Sequence, residues 1–125
     1  MKIQESAENY LETILMLGKE KGNVRSIDIA TALSFSKPSV SVAMKNLREN
    51  GYILMDKDGY IALTEKGHEI AETIYERHTL LSSFLMYLGV SRETATQDAC
   101  RIEPVISPER FEALKPHVYS TTANM

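Results

Sequence analysis

Residues 26–67 constrain the fold most, because they hold two short helical patterns followed by a hairpin pattern. Ser26 precedes the first helical pattern and is a residue type that caps helices, while Asp28 favours the positive end of a helix dipole. The apolar positions at helical spacing are Ile27, Ile29, Ala30 and Leu33. This pattern predicts a short helix capped by Ser26.

A second helix is predicted from the run that follows. Ser36 can cap it, and Pro38 is tolerated in its first turn because the N–H that proline lacks is unpaired there in any helix. Its apolar positions repeat at i, i+3, i+4 and i+7, and Gly51 ends it. These apolar positions are Val40, Ala43, Met44 and Leu47.

A hairpin pattern follows directly. Residues 52–55 and 60–63 are β-prone runs, and Asp58-Gly59 between them supplies the positive φ angles of a hairpin turn. Two helices, a turn and a β-ribbon in this order are typical of a winged helix-turn-helix, which places its second helix in the DNA major groove. We therefore predict a mainly α protein, whose N-terminal part has three helices and a two-stranded β-wing.

The charge distribution favours nucleic-acid binding although the net charge is −3. Residues 21–48 carry five basic residues and one acid, whereas residues 67–125 carry five basic and eight acidic residues. An isolated basic cluster is often only a solvated face, but this one coincides with the predicted helix-turn-helix. The predicted DNA-contacting residues are Arg25, Ser26, Ser36, Lys37, Pro38, Ser39, Ser41, Val42, Lys45, Arg48 and, at the wing tip, Lys57.

Position along the second helix assigns roles to these residues. Residues 36–42 would meet base edges and phosphates, and Pro38 and Val42 could touch thymine methyl groups. Lys45 and Arg48 lie further along, where phosphate contact is favoured. Because no Arg, Asn or Gln occupies the first turn, we expect limited direct base readout and some dependence on DNA shape.

Length and composition limit the other possibilities. A chain of 125 residues, 43% of them hydrophobic, can bury the core of about one domain with a helical extension. No apolar run reaches the roughly 18 residues that span a bilayer, and residues 1–5 lack the apolar stretch of a signal peptide. The single cysteine excludes an internal disulfide framework and agrees with a reducing compartment. A cytoplasmic protein with no membrane partner is expected.

The flanking sequence predicts further helices. An amphipathic helix covers residues 3–21, and a long helix runs from a cap at Thr64 to Leu88. Shorter helices are predicted from Ser91 to Pro104 and from residue 107 to about residue 114, while residues 116–125 show no periodicity and are expected to be loose. The predicted inward face of the first helix consists of Tyr10, Leu11, Ile14, Leu15 and Leu17. The predicted domains are residues 1–66, which bind DNA, and residues 67–125, which are all-α.

The helical domain is expected to join two copies of the chain into a symmetric dimer. One helix-turn-helix contacts little DNA, and two copies spaced by one helical turn double the contact, so a homodimer through residues 64–115 is expected. A dense apolar block fits either this dimer interface or the core of one subunit. Its residues are Phe84, Leu85, Met86, Tyr87, Leu88 and Val90.

Six short motifs resemble the diphtheria-toxin-repressor family of iron- and manganese-dependent transcriptional regulators. They occur in the family's order and cover roughly residues 5–115. The motifs are residues 6–14 (SAENYLETI), 24–30 (VRSIDIA), 37–40 (KPSV), 63–67 (LTEKG), 77–81 (RHTLL) and 99–103 (ACRIE). The resemblance implies a winged-helix DNA-binding domain followed by an all-α domain for dimerisation and metal binding, as in the short, two-domain manganese-sensing branch.

The resemblance also implies a set of metal ligands. The family's ligand positions fall on Asn9, Glu12, His78, Cys100, Glu103 and Pro104. Carboxylate, imidazole and thiolate groups suit divalent transition metals, with Fe(II) or Mn(II) expected and zinc or cobalt as further candidates. Asn9 offers only a neutral amide oxygen, and Pro104 stands where the family usually has a histidine. Proline binds no metal and disfavours helical dihedrals at Glu103, which is expected to weaken the site.

With the resemblance, the chain is predicted to be a metal-dependent regulator, in the simplest case a repressor, that binds double-stranded operator DNA as a homodimer. The ion is expected to bridge the first helix and the helical domain and so to fix the spacing of two recognition helices. Two alternatives stay open: a metal-independent winged-helix regulator with a degenerate metal site, and a winged-helix module that binds proteins. An enzyme is not predicted, because the sequence has no Ser-His-Asp order, glycine-rich phosphate loop or isolated carboxylate pair.

Overall fold

The computed structural model describes the backbone of residues 5–122 and the side chains of residues 6–118. In that range the chain is mainly helical with a two-stranded antiparallel sheet, so the predicted fold class is confirmed. The elements are α1 (Glu5–Lys21), α2 (Ser26–Leu33), α3 (Lys37–Glu49), β1 (Ile53–Met55), β2 (Ile61–Leu63), α4 (Glu65–Tyr87), α5 (Arg92–Ile102), a 3-10 turn (Glu103–Val105) and α6 (Pro108–Thr122). The predicted start of the first helix at Ile3 lies outside the described residues.

The chain divides into two compact units, residues 1–72 and 73–125, so the division falls inside α4. The predicted domain boundary after residue 66 stays a prediction. In the first unit α1 packs against α2 and β2, α2 against α3, and α3 against β1. The predicted inward face of α1 is buried except for Leu17, which is half-buried. Each helix therefore turns one apolar stripe into a shared core.

The start of α2 differs from the prediction. Ser26 is already helical, so the prediction that Ser26 caps this helix is wrong. Arg25 precedes the helix, and its backbone N–H donates to the Asp28 carboxylate at 2.9 Å. A carboxylate three residues into the helix satisfies this donor, and it lies at the positive end of the helix as predicted.

The helix-turn-helix itself has one strained residue. Ser34, between α2 and α3, adopts the left-handed region with φ 58°. Its backbone N–H and that of Phe35 donate to the last carbonyls of α2, on Thr31 and Ala30. Glycine adopts this conformation without steric cost, whereas a residue with a Cβ pays about 1 kcal/mol.

The start of α3 follows the prediction, and the wing turn follows it except at Asp58. Ser36 caps α3 by accepting the Ser39 backbone N–H at 3.3 Å, and Pro38 lies in the first turn. In the wing turn only Gly59 has a positive φ, so Asp58 does not share it as the Asp-Gly pattern predicted. The reason is Asp56, whose Oδ1 accepts the backbone N–H groups of residues 58 and 60, both at 2.9 Å. The carboxylate closes the turn without a second left-handed residue.

The first turn of α4 is fastened to the base of the wing. Thr64 caps α4 as predicted: its hydroxyl accepts the Gly67 backbone N–H at 3.1 Å and donates to the Gly51 carbonyl at 2.7 Å. The Thr64 backbone N–H donates to the Tyr52 carbonyl at 3.1 Å. Gly67 lies so close to that carbonyl that a Cβ on residue 67 would overlap it. Only glycine allows this approach of helix to strand.

The second unit has its own small core. Leu80, Phe111 and Val118 are buried together, with Phe84 and Leu114 packed against them. Phe84 of the predicted apolar block therefore belongs to this core. Tyr87 and Leu88 of the same block are 48% and 60% exposed.

Helix α6 is longer than predicted. It continues through Pro116 to Thr122, so the expectation that residues 116–122 are loose is wrong, and residues 123–125 lie outside the described range. Val118 is 2% exposed in the core described above. Its burial offsets the hydrogen bond that a proline removes from a helix interior. No helix in the described part of the chain is long and apolar enough to cross a membrane.

Candidate DNA interface and metal ligands

Helix α3 exposes the face that was predicted to meet DNA. Its apolar stripe of Val40, Met44 and Leu47 is buried, which leaves the opposite face to solvent. Val42, on the exposed face, is 61% exposed. The predicted contact residues that are exposed on or beside α3 are Ser36, Lys37, Pro38, Ser39, Ser41, Val42, Lys45 and Arg48. The helix therefore presents hydroxyl, cationic and small apolar groups on one surface.

Two serines on this face differ in what they can still bind. The Ser36 hydroxyl donates to the Ser39 hydroxyl oxygen at 2.8 Å and also caps α3. Its single proton is therefore used inside the protein. Ser39 keeps its own hydroxyl proton, which can be donated to a phosphate or a base acceptor.

A surface recess of about 200 Å³ lies beside α3 and is lined by Ser26, Ile27, Lys37 and Ser41. Ser26 is half-buried, and Ile27 is 45% exposed although the helical pattern predicted an inward side chain. Within α2 only Ile29 and Ala30 are buried, so the prediction that Ile27 shares their inward face is wrong. The recess is therefore lined by two hydroxyls, one ammonium group and one apolar side chain.

The wing adds charged groups of both signs. Lys57 is exposed at the tip, between Asp56 and Asp58, so these three residues carry a net charge of −1. Arg25 is exposed at the start of α2, and its guanidinium carbon lies 4.3 Å from the centroid of the Tyr60 ring. Sequence reasoning treated Tyr60 only as a β-prone residue. Its place beside Arg25 depends on the pairing of β2 with Val24.

The single acid of residues 21–48 is paired within the protein. Lys21 Nζ lies 2.6 Å from Asp28 Oδ1. This hydrogen bond, followed by the one from the Arg25 backbone N–H, holds the pKa of Asp28 below its ordinary value. Lys21 therefore offsets the charge of this carboxylate, and the other cations of residues 21–48 are Arg25, Lys37, Lys45 and Arg48.

Two of the predicted metal ligands meet in the second unit. His78 Nε2 lies 3.9 Å from Glu103 Oε2, and their side chains are 14% and 5% exposed. The other oxygen, Glu103 Oε1, accepts a hydrogen bond from Arg77 Nη1 at 3.0 Å. Arg77 Nη2 also donates to the Ile106 carbonyl at 3.3 Å. Arg77 therefore orients the carboxylate so that Oε2 faces the imidazole.

Pro104 was expected to move Glu103 out of helical dihedrals, and the structure shows that it does not. Glu103 keeps right-handed helical dihedrals, with φ −51° and ψ −49°, and begins the 3-10 turn. The restriction on a residue before proline is a preference. Here the ion pair with Arg77 and the burial of the carboxylate hold the residue against it. The expectation that proline moves Glu103 out of helical dihedrals is wrong, and a weakened metal site stays a prediction.

The other predicted ligands are less closely grouped. Cys100 and Asn9 are exposed, and Glu12 is buried on α1 although a carboxylate in isolation suggests a solvated face. Among the described residues, no group of three or more His, Cys, Asp or Glu side chains is arranged to hold a metal ion. His78 and Glu103 supply one nitrogen and one oxygen donor, which are ligand types that divalent transition metals accept. Cys100, Glu12 and Asn9 stay predicted ligands.

Taken together, the helix-turn-helix, its exposed basic face and the wing define a winged-helix DNA-binding protein. Two family models cover nearly the whole chain: the N-terminal DNA binding domain of iron dependent repressors over residues 2–61, and their metal binding and dimerisation domain over residues 64–121. The chain belongs to this iron-dependent repressor family of metal-dependent transcriptional regulators, which confirms the resemblance seen in the motifs.

Individual relatives agree with this assignment. The transcriptional regulator MntR of Escherichia coli O6:H1 is 36% identical over 112 residues, which is 90% of this chain and 72% of that protein. The HTH-type transcriptional regulator MntR of Geobacillus kaustophilus is 39% identical over 102 residues, covering 82% of this chain and 72% of that protein. The solved structure of the manganese regulator SloR superposes with a TM-score of 0.77 at 30% identity, covering 90% of this chain. This chain spans 53% of the SloR chain, about half its length.

Proposed function

We propose that this protein is a cytoplasmic transcriptional repressor that binds operator DNA as a homodimer when a divalent ion, Mn(II) or Fe(II), is bound. The observation that carries the proposal is the exposed face of α3, where Lys37, Lys45 and Arg48 surround serine hydroxyls on a helix whose other face is buried. No catalytic role is proposed. The relatives named above are regulators.

The DNA-binding step follows from the order of groups along α3. Its N-terminal half enters the major groove, where Ser39 and Ser41 donate to base edges or phosphates and Val42 contacts a thymine methyl group. Lys45 and Arg48 neutralise phosphates and fix the register of the helix. Since serine and valine discriminate bases weakly, the shape of the operator contributes to specificity.

The metal response is proposed to pass through α4. The basis for this proposal is that α4 carries both His78 and Gly67, whose backbone N–H donates to the Thr64 hydroxyl. Glu103 and His78 would hold the ion, with Cys100, Glu12 and Asn9 as further ligands. The ion supplies the positive charge that binds these donors. Metal affinity and DNA affinity are then linked and rise together.

Dimerisation is proposed to use apolar surface of the second unit. Tyr87, Leu88 and Val105 are exposed there, Val105 to 77%. Large apolar side chains left exposed on one unit are candidates for an association surface. A twofold arrangement of two winged helices then matches two half-sites of a palindromic operator.

The test is DNA binding by the full chain, purified without a histidine tag. A library of random duplexes is enriched for binders in Mn(II), and the selected duplex is then titrated with protein in Mn(II), Fe(II), Zn(II), Co(II) or chelator. We expect the affinity in Mn(II) or Fe(II) to exceed that in chelator. Equal affinity in chelator would support the metal-independent regulator instead. Weak binding that does not depend on salt would support a protein-binding module.

A further inference from the structure

We propose that the wing serves to hold Arg25: the Tyr60 ring positions the Arg25 guanidinium as a phosphate-binding group beside the turn end of the wing. This inference rests on the proposed DNA-binding function and deepens it. It assigns the phosphate contact in this region to Arg25, at the start of α2, rather than to Lys57 at the wing tip. Tyr60 is then a positioning residue.

The contact between the two side chains is direct. The Arg25 guanidinium carbon lies above the Tyr60 ring, 4.3 Å from its centroid. This distance is well inside the roughly 6 Å range of cation–π attraction. A guanidinium that stacks on an aromatic ring contacts the ring with the face of the guanidinium plane. The five N–H donors of the guanidinium lie in that plane and stay available. Arg25 is exposed and Tyr60 is 36% exposed, so these donors can reach a phosphate from solvent.

The backbone holds the two residues together. The Ile61 N–H donates to the Val24 carbonyl at 2.7 Å, and these residues form an antiparallel bridge. Val24 and Ile61 are both buried. Each is the chain neighbour of one partner, so the bridge brings Arg25 and Tyr60 side by side. On the other side, the Asp56 carboxylate accepts the Tyr60 backbone N–H and fixes the strand as it enters β2.

Charge explains why Arg25 is favoured over the wing tip. Lys57 is flanked by Asp56 and Asp58, so the tip carries a net charge of −1 and disfavours a phosphate. Near Arg25 the acid is Asp28, whose carboxylate accepts the Arg25 backbone N–H at 2.9 Å but is paired with the Lys21 ammonium at 2.6 Å. In the described part of the chain no salt bridge joins the Arg25 guanidinium to a carboxylate. A DNA phosphate is a bidentate partner that fits such a fork.

The experiment measures binding of the full chain in Mn(II) to a fluorescent mixed-sequence duplex over a range of potassium chloride concentrations. Phosphate contacts do not depend on sequence, so no operator is needed. The variants are Arg25→Gln, Arg25→Lys, Tyr60→Ala, Tyr60→Phe and the double variant Arg25→Gln, Tyr60→Ala. Arg110→Gln, which removes an exposed charge from α6, is the matched control. Thermal unfolding of each variant checks the fold.

Arg25→Gln is expected to lower the slope of log affinity against log salt by about 0.9 per protomer, whereas Arg110→Gln leaves it unchanged. Tyr60→Ala should weaken binding about 2- to 5-fold, and Tyr60→Phe should not, because the ring face remains. Arg25→Lys keeps the charge and therefore the slope. In the Arg25→Gln background, Tyr60→Ala should have no further effect, since its only role is to hold the guanidinium.

Two results separate the possible failures. If the parent protein shows no salt-dependent affinity for the duplex, the proposed function fails. If the parent binds but Arg25→Gln leaves the slope unchanged, or Tyr60→Ala weakens binding equally with and without Arg25, the assignment of Arg25 and Tyr60 is overturned while the proposed function stands.

Discussion

Arg77 on α4 and Glu103 at the start of the 3-10 turn form a buried ion pair, with Nη1 and Oε1 3.0 Å apart and side chains 15% and 5% exposed. The guanidinium carbon of Arg77 also lies 4.9 Å from the centroid of the Phe111 ring. One side chain therefore connects three helical segments of the second unit. It also orients the Glu103 carboxylate toward His78.

Removal of Arg77 is expected to destabilise the protein strongly. Arg77→Ala leaves the Glu103 carboxylate buried without its partner, which costs about 3 kcal/mol in the free energy of unfolding. Urea denaturation followed by circular dichroism measures this loss. Arg92→Ala, which removes an exposed arginine from the first turn of α5, is the control and should change stability by less than about 0.5 kcal/mol. Equal stability of the two variants would show that the pair contributes nothing.

Gly67→Ala and Gly18→Ala are expected to have opposite effects. At Gly67 a Cβ meets the Tyr52 backbone carbonyl, so the helix must move away from the wing and the free energy of unfolding falls by about 1–3 kcal/mol. At Gly18, inside α1, no atom lies within 4 Å of the added Cβ, so alanine should stabilise the helix by roughly 0.5–1 kcal/mol. Thermal denaturation of both variants gives the sign directly. A stabilised Gly67→Ala variant would contradict the close packing of α4 on the wing.

The turn between α2 and α3 offers a stabilising substitution. Ser34→Gly removes the steric cost of the left-handed conformation but adds flexibility to the unfolded chain, and we expect a net gain of about 0.5 kcal/mol. Ser34→Val places a β-branched residue in that region and should lower the melting temperature. Differential scanning calorimetry of the two variants tests the order glycine, serine, valine.

The ion pair of Asp28 with Lys21 predicts a pH dependence with a definite sign. The folded-state pKa of Asp28 lies below its unfolded value of about 3.9, so its stabilising contribution is present above that pH and is lost as the pH falls through the folded-state pKa. Asp28→Asn should therefore be less stable than the parent at neutral pH and equal to it in strong acid. Urea midpoints measured across the acid range show whether the difference disappears. Lys21→Gln, which removes the largest cause of the shift, should reduce the same pH dependence.

The metal hypothesis predicts that the response to metal can be lost while the fold is kept. The double variant His78→Ala, Glu12→Ala should keep the helical circular dichroism spectrum but lose metal-stimulated binding to the selected operator duplex, because two donors are gone. His68→Ala, which changes an exposed histidine on α4, serves as the control and should respond to metal like the parent. An unchanged metal response in the double variant would count against these residues as ligands.

Local sequence was sufficient for most of the first unit. The Ser36 and Thr64 caps, the apolar spacing of α3 and Gly59 in the wing turn act on neighbours within a few residues, so their effect can be read along the chain. The family motifs are likewise short runs of neighbouring residues, so they can be recognised from the sequence alone. These signals predicted the winged helix-turn-helix and the face of α3 that is exposed.

Features that depend on distant residues could not be read in this way. Helix α6 continues past Pro116 because Val118 is buried beside Leu80, and Glu103 stays helical before Pro104 because Arg77, 26 residues earlier, binds its carboxylate. Arg25 meets Tyr60 through the pairing of residues 24 and 61. At Pro116 and Glu103 a contact between segments far apart in the chain outweighs the local preference that proline sets. The Arg25–Tyr60 contact likewise joins distant segments, and local patterns cannot predict such contacts.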